Sequence, residues 1–463
     1  MPLHTFKQIL SQPNITRALS DGIIGEGVMI PGLNGPVPLV YADYVASGRA
    51  LHQVEDFVSH QVLPYYANSH TQASYCGGYM TKLREDARAE IARLTNAGDD
   101  HTVIFAGSGA TAGLNRLISL FAVNQAENPV VFVGPYEHHS NLLPWRESKA
   151  TVVEIPESQG GGPDMVALHS ALLEYADCDL KIGAFSAASN VTGIITDPEP
   201  ITRILKDHDA LAVWDYAGAG PYLPIDMQGD GAAIDAAVVS CHKFVGGPGA
   251  SGVLIIRDQA VRRDTPSWPG GGTVSFVSPW AQDYSTNLAE REEAGTPNVI
   301  GDIRAALVFL VKEAVGQAEI SAREAKYSKM ALDGWSQNPR LKVLGHATAH
   351  RLPIFSFMVT DQFGHHICEQ EFTRALSQRY GIQARGGCAC AGPYGHRLLN
   401  IDQETSEKLR AEILAGNDMN KPGWVRVNFG YLMDEKTVQF IIDAVDELAS
   451  NWETLAPGTA NAA

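Results

Sequence analysis

A lysine placed directly after a strand-like apolar run is the residue best able to do chemistry in this chain. Ser240-Cys241-His242-Lys243 follows Ala236-Ala237-Val238-Val239. Burying an ammonium costs several kcal/mol unless it is paired or chemically altered. An amine so placed can give up its proton and form a Schiff base with a carbonyl. Asp215 ends another apolar run, Ala210-Leu211-Ala212-Val213-Trp214. A lysine that can form an imine and an acid that keeps a pyridinium nitrogen protonated are the pair that pyridoxal phosphate (PLP) requires. Singly, Lys243 reads as a lysine snorkelling at a strand end and Asp215 as a helix cap. Together they point to PLP.

Other motifs fall in an order that supports this reading. Gly107-Ser108-Gly109-Ala110-Thr111 follows Val103–Phe105 and opens a helix through Leu114, Leu117 and Leu120. The free N–H groups of such a helix start face a phosphate, assisted by the helix dipole. By itself the motif is an ordinary capping loop. Glu137-His138-His139-Ser140-Asn141 follows Val130–Val133. An imidazole there can stack on a flat cofactor ring and handle protons; without the other motifs these are two solvated histidines. Asn190, in Ser189-Asn190-Val191-Thr192-Gly193, can bond a ring hydroxyl, and alone is a turn residue. Ser240 and His242 flank the lysine and can donate to phosphate.

These residues need a scaffold that brings strand ends together. The chain has 463 residues, enough for two domains of ordinary size. Its 45% hydrophobic and 19% charged residues are those of a soluble globular protein. A formal charge of −17 argues against nonspecific nucleic-acid binding and against an anionic membrane surface. The first ten residues lack a basic segment followed by an apolar core, so no signal peptide is expected and the location expected is cytoplasmic. No apolar run reaches the roughly 18 residues a membrane span needs. The six cysteines are expected to be free thiols. There is no internal repeat, and the tail from Ala456 to Ala463 is expected to fray.

From about Thr102 to Ile256 short apolar runs alternate with helical patterns. The runs are Val103–Phe105, Val130–Val133, Lys181–Phe185, Ala210–Trp214, Ala236–Val239 and Val253–Ile256. That alternation predicts a mostly parallel sheet with helices on both faces, with ligands beyond the carboxyl ends of the strands. Gly/Pro-rich stretches at 265–273 and 294–297 break the pattern. A long helical segment from Asn298 to Trp335 is expected to lead into a smaller α+β domain. There Ile354–Val359 and Trp424–Phe429 read as strands, and Glu369–Arg379 and Glu435–Ser450 as helices. The expected division is an N-terminal segment 1–40 packing on the small domain, a large domain 41–297, and a linking helix with the small domain 298–463.

The motif order resembles the class V aminotransferase family of fold-type I PLP enzymes, most nearly the NifS-like group II cysteine desulfurases and selenocysteine lyases. The likeness runs from about Tyr41 to Ser450. It implies an α/β fold with a mostly parallel seven-stranded sheet and a smaller C-terminal α+β domain. Tyr41-Ala42-Asp43 with Ala46-Ser47 is similar to the family's N-terminal active-site strand, and Gly109-Ala110-Thr111 to its phosphate loop. The ring-stacking histidine falls on His138, the Ser-Asn-x-x-Gly turn on Asn190 and Gly193, and the pyridinium partner on Asp215. The Schiff-base segment falls on Ser240-x-His242-Lys243. Glu293-Ala294-Gly295-Thr296-Pro297-Asn298 is similar to the segment whose threonine reaches the neighbouring subunit's phosphate, which implies a homodimer with Thr296 shared between sites.

Arg385-Gly386-Gly387-Cys388-Ala389-Cys390 is similar to the group II loop Arg-x-Gly-x-x-Cys, which places the sulfur-accepting cysteine at Cys390 rather than Cys388. Molybdenum-cofactor sulfurases have a similar two-cysteine loop. A thiolate near a cation is a good nucleophile toward sulfur. The other readings are a disulfide, strained at this spacing, and a metal pair, for which no second Cys/His cluster is present although His396 is near. No metal site is therefore expected. Arg426 resembles the family's arginine for the substrate α-carboxylate, a role that suits a planar guanidinium.

Two departures bear on the substrate. The family usually has glutamine three residues after the aspartate, where this chain has Gly218, and a long insertion separates Cys390 from Arg426. The resemblance implies a PLP enzyme that removes sulfur from cysteine, leaving alanine and an enzyme persulfide. Its partners would be an amino-acid substrate and a sulfur-acceptor protein. The alternatives are a C–S lyase, aminotransferase or epimerase on the same fold with a bulkier substrate, a selenocysteine lyase, and a non-catalytic PLP-fold scaffold.

Overall fold

The computed structural model describes residues 2–69, 71–417 and 421–456, so the tail expected to fray, Ala456 to Ala463, lies outside the described residues from 457 onward. Seven strands form the central sheet: β1 His101–Gly107, β2 Pro129–Val133, β3 Thr151–Glu154, β4 Leu180–Ser186, β5 Leu211–Asp215, β6 Ala236–Val239 and β7 Gly252–Arg257. Their order is β1-β7-β6-β5-β4-β2-β3. Strand β7 runs antiparallel to both its neighbours, and the other pairs are parallel.

The parallel strands are covered on both faces, so β2 and β6 are buried at every residue and read as continuous apolar runs. Strand β3 was not among the six runs. It is an edge strand, Thr151-Val152-Val153-Glu154, exposed at both ends and only half-buried between, so it has no apolar run to read.

The reversed strand β7 matters for the site. Its first residue, Gly252, pairs with Gly107 and brings the β1 loop against the end of β6. A Cβ at Gly252 would lie 2.5 Å from the Gly109 backbone, so only glycine permits this approach.

The segment expected as one long helix is two, Val299–Val315 and Gln317–Trp335. Gly316 separates them with φ 83°, a conformation that ends a helix, while apolar periodicity continues on both sides. Asn298 caps the first by accepting from Gly301 N.

Beyond lies a four-stranded antiparallel sheet in the order 341–343, 354–359, 424–428, 385–387. Helices Glu369–Tyr380 and Glu435–Ser450 accompany it. Of the N-terminal segment, helix Pro2–Leu10 packs on helices Tyr75–Leu94 and Val299–Val315. Toward helix Glu369–Tyr380, Leu33 N donates to Gln378 O, and Val40–Tyr41 pairs in parallel with Ile382–Gln383. Among the described residues no helix is long and apolar enough to cross a membrane.

Candidate active site

The carboxyl ends of β1, β2, β4, β5 and β6 meet around one cavity of about 220 Å³. Ala110, Thr111, His138, Asn190, Asp215, Ser240, His242 and Lys243 all line it, although they come from five separate stretches of chain. A larger hollow of about 630 Å³ lies among Arg84, Arg88 and Glu293 and contains none of these groups. Chemistry, not size, therefore selects the smaller one.

Helix Gly109–Leu120 starts at one end of the cavity. Its preceding residue, Ser108, makes no side-chain cap, whereas Asp164, Asp197 and Asp434 each cap their own helices. The first-turn N–H of Ala110 donates instead to Ser240 Oγ at 3.0 Å. Thr111 Oγ1 and Ser140 Oγ are 2.7 Å apart. An uncapped helix start ringed by hydroxyls has the charge and the donors that suit an anion.

At the other end Asp215 accepts from Ala217 N through Oδ1 at 2.7 Å. Burial pushes its pKa up, while that hydrogen bond and Lys243 pull it down. Lys243 is pushed down to about 8, first by enclosure and then by the charges of Arg426 and Arg385, against the attraction of Asp215 and Asp43. An amine so depressed is neutral far more often near neutral pH than an ordinary lysine.

His138 accepts from Ser140 N through Nδ1 at 3.0 Å, which leaves Nε2 to carry the proton of the neutral ring. Burial, then the charge of Lys243, holds its pKa down to about 3, so the ring is uncharged. Beside it Glu137 is buried and accepts from Ser186 N at 2.9 Å, Ser186 Oγ at 2.7 Å and Asn141 Nδ2 at 2.5 Å. Burial still raises it to about 7. Asn190 donates from Nδ2 to Ala389 O at 2.7 Å, while its buried Oδ1 has no partner.

Arg426 is buried on its strand. It donates to Asn190 O at 3.0 Å and to Asp43 Oδ1 at 2.7 Å, and its Nε is unpartnered. Arg385 donates to the other oxygen of Asp43 at 3.0 Å. Cys390 is exposed and Cys388 half-buried, and neither lines the cavity. Thr296 is exposed in a separate hollow of about 500 Å³ that shares Ser108 with the cavity. The insertion after Cys390 forms helices Gly392–Leu398 and Gln403–Leu414. Tyr394 of the first packs edge-on against Tyr136 at 4.8 Å.

Sequence reasoning did not assign Asp43, Glu137, Ser140 or Ser186. Asp43, Glu137 and Ser140 stood inside motifs already singled out, and Ser186 follows the Lys181–Phe185 run by one residue.

The residues present fit a phosphorylated pyridine. The uncapped helix start suits its phosphate, the carboxylate of Asp215 a ring N–H, and the orphaned Oδ1 of Asn190 a ring hydroxyl. The amine of Lys243 lies in the same cavity.

A mostly parallel sheet with an acid and a lysine at the ends of adjacent strands is the arrangement of fold-type I PLP enzymes. The chain belongs to the aminotransferase class-V family, whose model matches residues 40–440. A probable cysteine desulfurase of Halalkalibacterium halodurans is 29% identical over 363 residues, covering 77% of this chain and 85% of that protein. Another, from Vibrio cholerae, is 29% identical over 415 residues, covering 88% and 93%. Among solved structures, the apo cysteine desulfurase of Thermococcus onnurineus matches with a TM-score of 0.74 at 23% identity, covering 89% of this chain and 95% of that one. That last likeness shows the shared fold.

Proposed function

We propose that the chain is a PLP-dependent enzyme that takes sulfur from L-cysteine, releasing L-alanine and leaving a persulfide on Cys390. The observation that carries the reading is the convergence of Lys243, Asp215 and the unpartnered Oδ1 of Asn190 on one cavity. The names of the curated relatives, cysteine desulfurases, support the choice of substrate.

Lys243 would hold the cofactor through Nζ, and Asp215 would keep a proton on the ring nitrogen. Thr111, Ser240, His242 and the N–H groups at the start of helix Gly109–Leu120 would bind the phosphate, and Asn190 the ring hydroxyl. His138, neutral at working pH, would lie against the ring. When bound, PLP supplies an electron sink for the substrate α-carbon.

The chain's other groups serve the substrate. Arg426 binds its carboxylate, with Arg385 beside it. Lys243, with its depressed basicity, moves the proton at the α-carbon. Cys390, as thiolate, attacks the substrate sulfur. A sulfur–sulfur bond forms, the Cβ–S bond breaks, and the bond's electron pair leaves with Cβ, which takes up a proton to become the methyl of alanine.

The enzyme would work as a homodimer, with Thr296 exposed on its own chain and available to the partner's phosphate. It would pass the persulfide sulfur to an acceptor protein. Six free thiols suit the reducing cytoplasm.

A second reading is a C–S lyase that needs no cysteine nucleophile. It is favoured by one observation, that neither cysteine of the loop lines the cavity.

The deciding experiment incubates the holoenzyme with cysteine and with selenocysteine. Alanine with protein persulfide supports the desulfurase, and pyruvate with free sulfide supports the lyase. Cys390→Ser should abolish persulfide while leaving cofactor absorbance intact, and Cys388→Ser should only slow it.

A further inference from the structure

The thiol loop is gripped by a residue that the reading above leaves idle. His139 N donates to Cys390 O at 2.8 Å, and the ring Nε2 of the same residue accepts from Gly392 N at 3.0 Å. One side chain and its own backbone thus hold the chain on either side of Ala391. The neighbours of the thiol are anchored too. Ala389 and Ala391 are buried in a small core with Tyr136, Tyr394 and Trp424. Asn190 Nδ2 takes the Ala389 carbonyl at 2.7 Å. Cys390 alone is exposed between them.

Cys390 also has a left-handed backbone, φ 55°. A residue with a Cβ rarely adopts this conformation, and persists in it only where its surroundings impose it. Here the two His139 bonds, the Asn190 bond and the buried alanines flank it on both sides. Resting on the desulfurase reading, we propose that His139 is a positioning residue for the nucleophile: a neutral imidazole that clamps the Cys390 loop and releases it when protonated.

The proton logic follows from the donor. A backbone N–H always donates, so Nε2 must present its lone pair, and a proton there sets two N–H groups against each other. The surroundings favour the neutral ring, since burial and then the Arg146 guanidinium lower its pKa. The other charged or titratable neighbours are few. His138 shares the turn, Glu147 lines a common hollow, and Cys390 is bound directly. On helix Gly392–Leu398 the His396 ring is engaged with Gly392 O and Ser406 Oγ, Tyr394 OH with Thr192 Oγ1, and Arg397 with Glu154 and Pro135 O. Arg116, the charged residue of helix Gly109–Leu120, is bonded to Glu292, and Lys181 of β4 to Ala176 O. The clamp is therefore closed above the depressed imidazole pKa and opens as pH falls through it.

The test compares holoenzyme carrying His139→Ala or His139→Gln with the parent. Glutamine keeps an acceptor, Oε1, that does not titrate. Amide exchange over residues 388–394, corrected for intrinsic rates, should speed up by about tenfold in the alanine variant and stay near the parent in the glutamine variant. Persulfide formation at saturating cysteine should fall by about tenfold in the alanine variant, with cofactor absorbance and KM unchanged. The glutamine variant should keep the rate and lose the parent's acid limb. Unchanged exchange in the alanine variant, or an acid limb retained in the glutamine variant, overturns the clamp. If the parent makes no persulfide, the desulfurase reading fails, and the exchange measurement still decides the clamp.

Discussion

Arg385 and Arg426 lie directly opposite each other as partners in the antiparallel pair of strands 385–387 and 424–428, with the carboxylate of Asp43 bonded to both. Two like charges facing across strands repel. Asp43 neutralises one of them and aims both guanidinium groups, so the pair keeps one net positive charge, which suits the carboxylate of the proposed substrate. Asp43→Asn keeps the shape and removes the charge. Because Arg426 is buried, the loss should be about 3 kcal/mol in unfolding free energy. Cysteine should then raise the melting temperature of the variant more than that of the parent, since its carboxylate replaces the missing charge. An equal substrate-induced shift in both proteins would count against this role.

The depressed basicity of Lys243 predicts how apo-protein captures PLP. Only the neutral amine reacts, so the capture rate should climb about tenfold per pH unit below the pKa and level off near the value of about 8 to which burial pushes it. An ordinary lysine would keep gaining to about 10.4. The near-visible absorbance band, followed after mixing at a series of pH values, checks this. A rate still rising steeply above pH 9 would show the amine to be unperturbed.

Gly193 carries the turn that presents Asn190. Its φ is 72°, and a Cβ there would lie 2.5 Å from Leu352 O. Gly193→Ala combines an unfavoured backbone with a backbone clash and should cost about 2 kcal/mol or more in denaturant unfolding. Cofactor affinity should fall with it. An unchanged midpoint would mean that the turn yields freely.

Sharing of Thr296 between subunits is open to a complementation test. Thr296→Ala and Lys243→Ala should each retain PLP poorly. In a mixed dimer one site carries both defects and the other carries neither. Mixing the two variants should therefore restore borohydride-fixable cofactor at up to half the sites of mixed dimers. No restoration, with dimers demonstrated by sedimentation, would place Thr296 outside the partner's site.

The lining of the cavity was legible wherever it is written in a few consecutive residues. A buried parallel strand needs an unbroken apolar run, and its carboxyl end is where ligands bind. Lys243, Asp215 and His138 could thus be placed from the parallel strands before them, and Ala110-Thr111 from the apolar run of antiparallel edge strand β1. Edge strand β3 escaped because its exposed ends need no apolar residues, and the break at Gly316 escaped because periodicity continues past it. The couplings between motifs were not legible at all. Asp43 meets Arg385 and Arg426 across 342 and 383 residues, and His139 meets Gly392 across 253. Such hydrogen bonds leave no periodicity in the chain, because they arise only when the fold brings distant segments to about 3 Å. Local pattern therefore named the groups that line the cavity, and tertiary packing decided which carboxylate meets Arg385 and Arg426 and which imidazole meets the Cys390 loop.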